Sequence, residues 1–320
     1  MEQFNDISKH VEKAQGDKAR FLKSKEGLLP HFEFPNQEAQ HEKQFSKETL
    51  LADIYEEKID QMKKIMESPI LLKSACEDLV YCSEKGREGG CESFALDALC
   101  TYSAILNSGF FFHFSPEKQE EIKFNIHDSD FIENSYKNFT EEIKWGRKGG
   151  SGDASYALWT YSAFTTSDLF PYLSQEKRRE MESAIFDPLI IEASYKYFLS
   201  DIQALEVGGD VFGSDAFRAC ASFITSDVFT RLSEEKCEKI ESTISNPIFI
   251  EIPYQYFLFN TGVKDSRDSA SYAFRTLSSL ITVKDYLREK GKKIDDETFA
   301  NEALNPTEKI PPRPETRNNY

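Results

Sequence analysis

Apolar residues recur along this chain at helical spacing. Ile191, Tyr195 and Phe198 fall at i, i+4 and i+7, and Ile250, Tyr254 and Phe257 repeat the pattern, each set lining one face of a helix. The polar residues between them supply helix starts. Asp187-Pro188 and Asn246-Pro247 pair a capping side chain with a proline at the first helical position. Ser115-Pro116 does the same, and Ser174 is followed by Glu176 in the first turn, where the helix dipole favours acid. A further helix is predicted from an Asp153 cap to about Thr166, with Tyr156, Ala157, Trp159, Tyr161 and Phe164 as its apolar positions, followed by a short turn-like helix in SDLFPYL. Pro253 should kink the helix that contains it. No alternating strand pattern competes.

The predicted elements repeat. SPEKQEEIKFNIHDSDFIENSYKNF from Ser115, SQEKRREMESAIFDPLIIEASYKYF from Ser174 and SEEKCEKIESTISNPIFIEIPYQYF from Ser233 start 59 residues apart. Ala98, Ala157 and Ala216 share one register position, and more than a third of positions are identical when 150–198 is laid over 209–257 without gaps. Weaker copies flank these: ESPILLKSACEDL from Glu67 slips by one residue, and ASYAFRTLSSL from Ala270 slips by two. The expected fold is all-α, an α-solenoid or superhelical array of roughly 59-residue, three-helix repeats at about 32–90, 91–149, 150–208 and 209–267, with a truncated copy at 268–304. A polar segment, 1–31, precedes the array and a Pro-rich tail, 305–320, follows it. Whether the array stays open or closes into a ring is not written in the pattern.

In architecture this is similar to HEAT, armadillo and TPR proteins, although their repeats are shorter and none of their motifs is present. A second resemblance is to annexins, four-repeat helical proteins. The turn GSGD (Gly150–Asp153), with Glu192 at the matching distance, resembles their calcium loop, and Glu133 and Glu251 share the register of Glu192. That resemblance implies calcium-dependent membrane binding. The other copies, reading CESF and GDVF, lack the turn.

Composition narrows the partners. The net charge is −16, a field that repels nucleic-acid backbones and favours basic ligands. No apolar run reaches the length of a membrane span, and the first residues, MEQFNDISKH, lack the charge and apolar pattern of a secretory signal, so a cytoplasmic protein is expected. The six cysteines (Cys76, Cys82, Cys91, Cys100, Cys220, Cys237) form no CxxC pair and read as reduced thiols, and the five histidines are scattered.

The glycine stretches GREGG, GRKGG and VGG occupy one place between repeats. No preceding strand or GxxxxGK[ST] accompanies them, so they read as helix-closing hinges, with Arg87, Arg147 and Lys148 as candidate ligand contacts. The recurring pairs Glu133/Tyr136, Glu192/Tyr195 and Glu251/Tyr254 would form a ladder along the array. Either that ladder grips a basic or extended peptide, or its tyrosines are core and its glutamates solvated. The locally basic run 284–293 either meets an anionic partner or opposes an acidic face. No catalytic set, metal site or cofactor motif is found. The sequence thus points to a non-enzymatic scaffold binding a protein or peptide, a role that would suit a bacterial effector. The alternatives are the annexin-like reading and an enzyme with a carboxylate site in a helical array.

Overall fold

The structure, a computed structural model, describes residues 46–89, 92–206, 210–262 and 267–304. The chain divides into two compact units, Met1–Gln44 and Phe45–Tyr320. The described residues all belong to the second. The expectations for the N-terminal segment, the VGG joint, Cys91 and the tail lie outside them.

The described residues are all-α, with twelve helices and no strand among them. They are α1 (Lys47–Met66), α2 (Pro69–Arg87), α3 (Glu92–Asn107), α4 (Pro116–Ile126), α5 (Ser129–Gly146), α6 (Ser151–Thr166), α7 (Gln175–Ile185), α8 (Pro188–Glu206), α9 (Asp210–Thr225), α10 (Glu234–Ile244), α11 (Pro247–Gly262) and α12 (Arg267–Leu304). Short 3-10 turns at Phe110–His113, Phe170–Tyr172 and Val228–Arg231 follow α3, α6 and α9. Three stretches therefore share one order: long helix, 3-10 turn, 11-residue helix, long helix.

Local chemistry accounts for most boundaries. Ser115 and Ser174 accept the backbone N–H of Lys118 and Lys177, and Asp128 and Asp187 cap α5 and α8 through Asp130 and Leu189. The start of α6 differs from the sequence expectation. Gly150 occupies the N-cap and Asp153 lies inside the first turn, because Ser151 and Gly152 adopt helical geometry and the carboxylate still lies where the helix dipole favours it. Pro253 lies within α11, which runs through it as one helix.

The long helices α3, α6, α9 and α12 pack in a circuit, α3 on α6, α6 on α9, α9 on α12 and α12 back on α3. Around them, α2, α5, α8 and α11 each pack against the next long helix in the chain. The last helix also packs along the first: α12 lies on α1, and Gly291 comes so close to Ser46 and Thr49 that a Cβ there would meet the Thr49 amide nitrogen at 2.8 Å. The helices of this unit thus close on themselves. The basic run of α12 serves that closure. Lys284 and Arg288 pair with Glu56 of α1, and Lys290 pairs with Glu241 of α10.

The core is rich in phenylalanine. Phe131, Phe139, Phe164, Phe198, Phe217, Phe223, Phe257 and Phe274 are all fully buried, each contributing about 1.5–3 kcal/mol of burial.

Candidate functional site

Glutamate and tyrosine project from the third helix of each stretch toward the next 11-residue helix. Two of the glutamates meet a lysine there, and the third meets one on α1. Lys177 donates to Glu133, Lys236 to Glu192, and Lys58 of α1 approaches Glu251 at 2.9 Å. The same lysines lie over tyrosine rings, Lys177 on Tyr136 at 4.8 Å, Lys236 on Tyr195 at 5.0 Å and Lys58 on Tyr254 at 4.1 Å. The Tyr136 hydroxyl donates to Glu180, and that of Tyr254 to Gln61 at 2.7 Å. The hydrogen bond from Lys236 holds the Glu192 carboxyl below its usual range. At α2 the position equivalent to Glu133 is Lys73, so Lys118 turns instead to Glu121 of its own helix, 2.6 Å away. The candidate pairs are thus brought to seams between neighbouring helices, where each carboxylate already has a lysine of this chain. The recurrent lysine was visible in the register, since Lys118, Lys177 and Lys236 each stand three residues after a capping serine.

The glycine joints resolve similarly. Gly149 has a φ of +97° and the amide of Gly150 donates to the Trp145 carbonyl, closing α5. Gly86 and Gly146 have a different reason: a Cβ on either would come within about 3 Å of the Cα of Ala95 or Ala154, where α2 crosses α3 and α5 crosses α6. Arg147 donates from Nε to Asp187 at 2.7 Å, and Arg87 lies 3.9 Å from Asp128. Both arginines therefore reach the aspartates that cap α8 and α5. Lys148 lies over the exposed Trp145 ring at 4.3 Å. Gly152 has only Tyr197 near its would-be Cβ, at an ordinary 3.7 Å. Among the described residues, no group of three or more His, Cys, Asp or Glu side chains gathers as a metal centre would, and no helix is long and apolar enough to cross a membrane.

A site absent from the sequence reading lies where α3, α6, α9 and α12 meet. A cavity of about 50 Å³ is lined by four residues from each helix, at the same four register positions. One tier is Cys100, Trp159, Arg218 and Arg275. Another, at the ends of α3, α6 and α9, is Asn107, Thr166, Thr225 and Thr282. The tiers between carry serine and alanine. Ser103 shares a hydrogen bond with Thr166 at 2.7 Å and Ser162 with Thr225 at 2.5 Å, so the polar lining also ties adjacent helices together.

The two arginines of the first tier differ in their pairing. Arg275 crosses to α3, donating to the Asp97 carboxylate at 2.6 Å, the Asp97 carbonyl at 2.8 Å and Thr101 at 2.9 Å. Its charged form is strongly favoured, because Asp97 outweighs the cost of burial. On α12 the position corresponding to Asp97 is Tyr272, which offers Arg218 no carboxylate. Arg218 instead lies over the Trp159 ring at 4.5 Å, with Asp215 of its own helix 3.9 Å away. Its Nη2 and the Trp159 Nε1 are buried without a hydrogen-bond partner. Burial pushes the Cys100 thiol up to about 11, against the pull of both arginines, which makes it a poor nucleophile at neutral pH.

Behind this tier, on α8, Asp201 is buried and its Oδ2 has no partner. Burial, and then the charge of Asp215, raise its carboxyl to about 7. The register explains the orphan. Glu142, its counterpart on α5, accepts the Thr160 hydroxyl at 3.0 Å, whereas the residue corresponding to Thr160 on α9 is Ala219.

Compared with protein-family models, with curated proteins and with solved structures, the chain finds no significant match.

Proposed function

We propose that this chain is a non-enzymatic helical-repeat scaffold of four roughly 59-residue units in a ring, binding a protein or peptide partner. Two features support the four-unit reading. The lysine over a tyrosine recurs on α7, α10 and α1 alike, and α12 completes the circuit of long helices. On this reading α12, α1 and α2 are one unit divided between the two ends of the chain.

The observation that carries the binding role is an aromatic strip where α4 meets the 3-10 turn after α6. Phe124 and Tyr172 are 72% and 59% exposed. Phe124 and His127 are three residues apart on one face of the helix end, and the Tyr172 ring packs against His127 at a 35° tilt with centroids 5.0 Å apart. Asp168 anchors the strip from below, accepting the Tyr102 hydroxyl at 2.9 Å and lying 3.2 Å from His127 Nε2. Clustered exposed aromatics mark interaction surfaces rather than random surface. In a chain of net charge −16, the fitting partner presents an apolar side chain flanked by basic residues.

The test is affinity capture with the full chain and with Phe124→Ala/Tyr172→Ala, beside Glu192→Ala/Tyr195→Ala as a seam control. A partner lost with the first variant at unchanged helicity supports the reading. A partner retained by it moves the binding surface elsewhere.

A further inference from the structure

We propose that the cavity between α3, α6, α9 and α12 is a binding site for a small inorganic oxyanion of the phosphate or sulfate class, held by Arg218. This goes beyond the scaffold reading and does not depend on it.

The argument starts from an imbalance of donors. Arg275 has a carboxylate, a carbonyl and a hydroxyl around its guanidinium. Arg218, at the same level of the same cavity, has a single carboxylate at 3.9 Å, and its Nη2 is buried without an acceptor. The indole N–H of Trp159, a residue 3% exposed, is also without an acceptor, and this side chain lines the cavity beneath the Arg218 guanidinium. Ser222 and Ser278 add hydroxyls to the wall. Leaving a buried donor unpaired costs about 1–3 kcal/mol, so two such donors on one cavity favour an acceptor that enters it.

The acceptor must be small. A cavity of about 50 Å³ suits an ion of a few heavy atoms. It must also be anionic, because the surplus group is a guanidinium, whose fork suits an oxyanion. A tetrahedral oxyanion presents separate oxygens toward an arginine, an indole and hydroxyls on different walls. The ends of α3, α6 and α9 point negative dipole ends toward the tier of Thr166 and Thr225. That field opposes an anion but fades within the last turn, and Arg218 lies seven residues back from Thr225.

Trp159 reports on the site directly. The chain has two tryptophans, and Trp145 is exposed, so the full chain carrying Trp145→Phe leaves Trp159 as the sole indole fluorophore. It is titrated with sodium phosphate and sodium sulfate against chloride at matched ionic strength. The expected result is a saturable change in Trp159 emission with the oxyanions and none with chloride. Arg218→Lys, which keeps charge and loses the fork, should weaken it at least about tenfold, with the far-UV circular dichroism unchanged. Arg218→Gln serves as the second variant should the lysine disturb helicity. No saturable response to either oxyanion overturns the proposal, as does undiminished binding in either folded variant.

Discussion

Asp201 shows how one register substitution reaches the chemistry of a single group. Its counterpart Glu142 has a hydroxyl donor and Asp201 has Ala219 instead. The carboxyl is therefore buried without compensation and rises to about 7. Folding then favours the protonated form, so its contribution to stability is retained at low pH. It is lost as pH rises from the unfolded value near 4 toward 7, and the loss is constant above that. Asp201→Asn should remove this slope and stabilise the protein at pH 8 by about 2–4 kcal/mol, with little effect at pH 4. Urea unfolding of both proteins at the two pH values measures it, and equal gains at both would contradict the assignment. Gly86 belongs to the same scale. Gly86→Ala gains helix propensity, up to about 1 kcal/mol, but drives a Cβ to 2.9 Å from the Ala95 backbone. Overpacking of this kind costs about 1–3 kcal/mol, so a net loss of about 1–2 kcal/mol is expected, and a neutral or stabilised variant would mean the α2–α3 crossing gives way freely.

Between elements, the seams combine a buried tyrosine with a partly exposed ion pair. The side chains of Lys236 and Glu192 are 27% and 43% exposed, so solvent screens the pair and it is worth no more than about 1 kcal/mol. Tyr195 is buried beneath Lys236. Lys236→Ala should therefore cost at most about 1 kcal/mol, and Tyr195→Ala about 3 kcal/mol or more. Chemical denaturation of the two variants gives the order, and a larger loss from the lysine would reverse this account. The glutamate–tyrosine ladder was legible in the sequence as a recurrence. The pairing with the recurrent lysine was not, because Lys177 and Lys236 lie 44 residues beyond Glu133 and Glu192 and meet them only when one stretch packs on the next.

At the scale of the molecule, closure rests on α12 against α1 and α2. The proposed ring makes a specific demand on chain order. A chain of residues 92–304 alone leaves the apolar face of α12 uncovered and should lose cooperative unfolding. A permutant that begins at Glu92, runs along α12 as far as Gly291 and continues through a short linker into Ser46–Gly89 should restore it, since Gly291 already lies against Ser46 and Thr49. Thermal unfolding followed by circular dichroism separates the outcomes, and a cooperative 92–304 fragment would show that α1 and α2 are dispensable.

What the sequence determined by itself was local. Spacing of apolar residues, serine and aspartate caps and prolines at first helical positions specified the helices, because these signals act within a turn or two. The 59-residue recurrence placed Trp159 and Arg218 at one register position, and the displaced copy at Ala270 added Arg275. That these side chains face a common cavity, that one arginine finds Asp97 while the other faces Tyr272, and that α12 returns to α1, were decided by packing. The circuit closes through contacts between helices far apart in the chain, α12 on α1, α2 and α3. No short window of sequence contains those contacts.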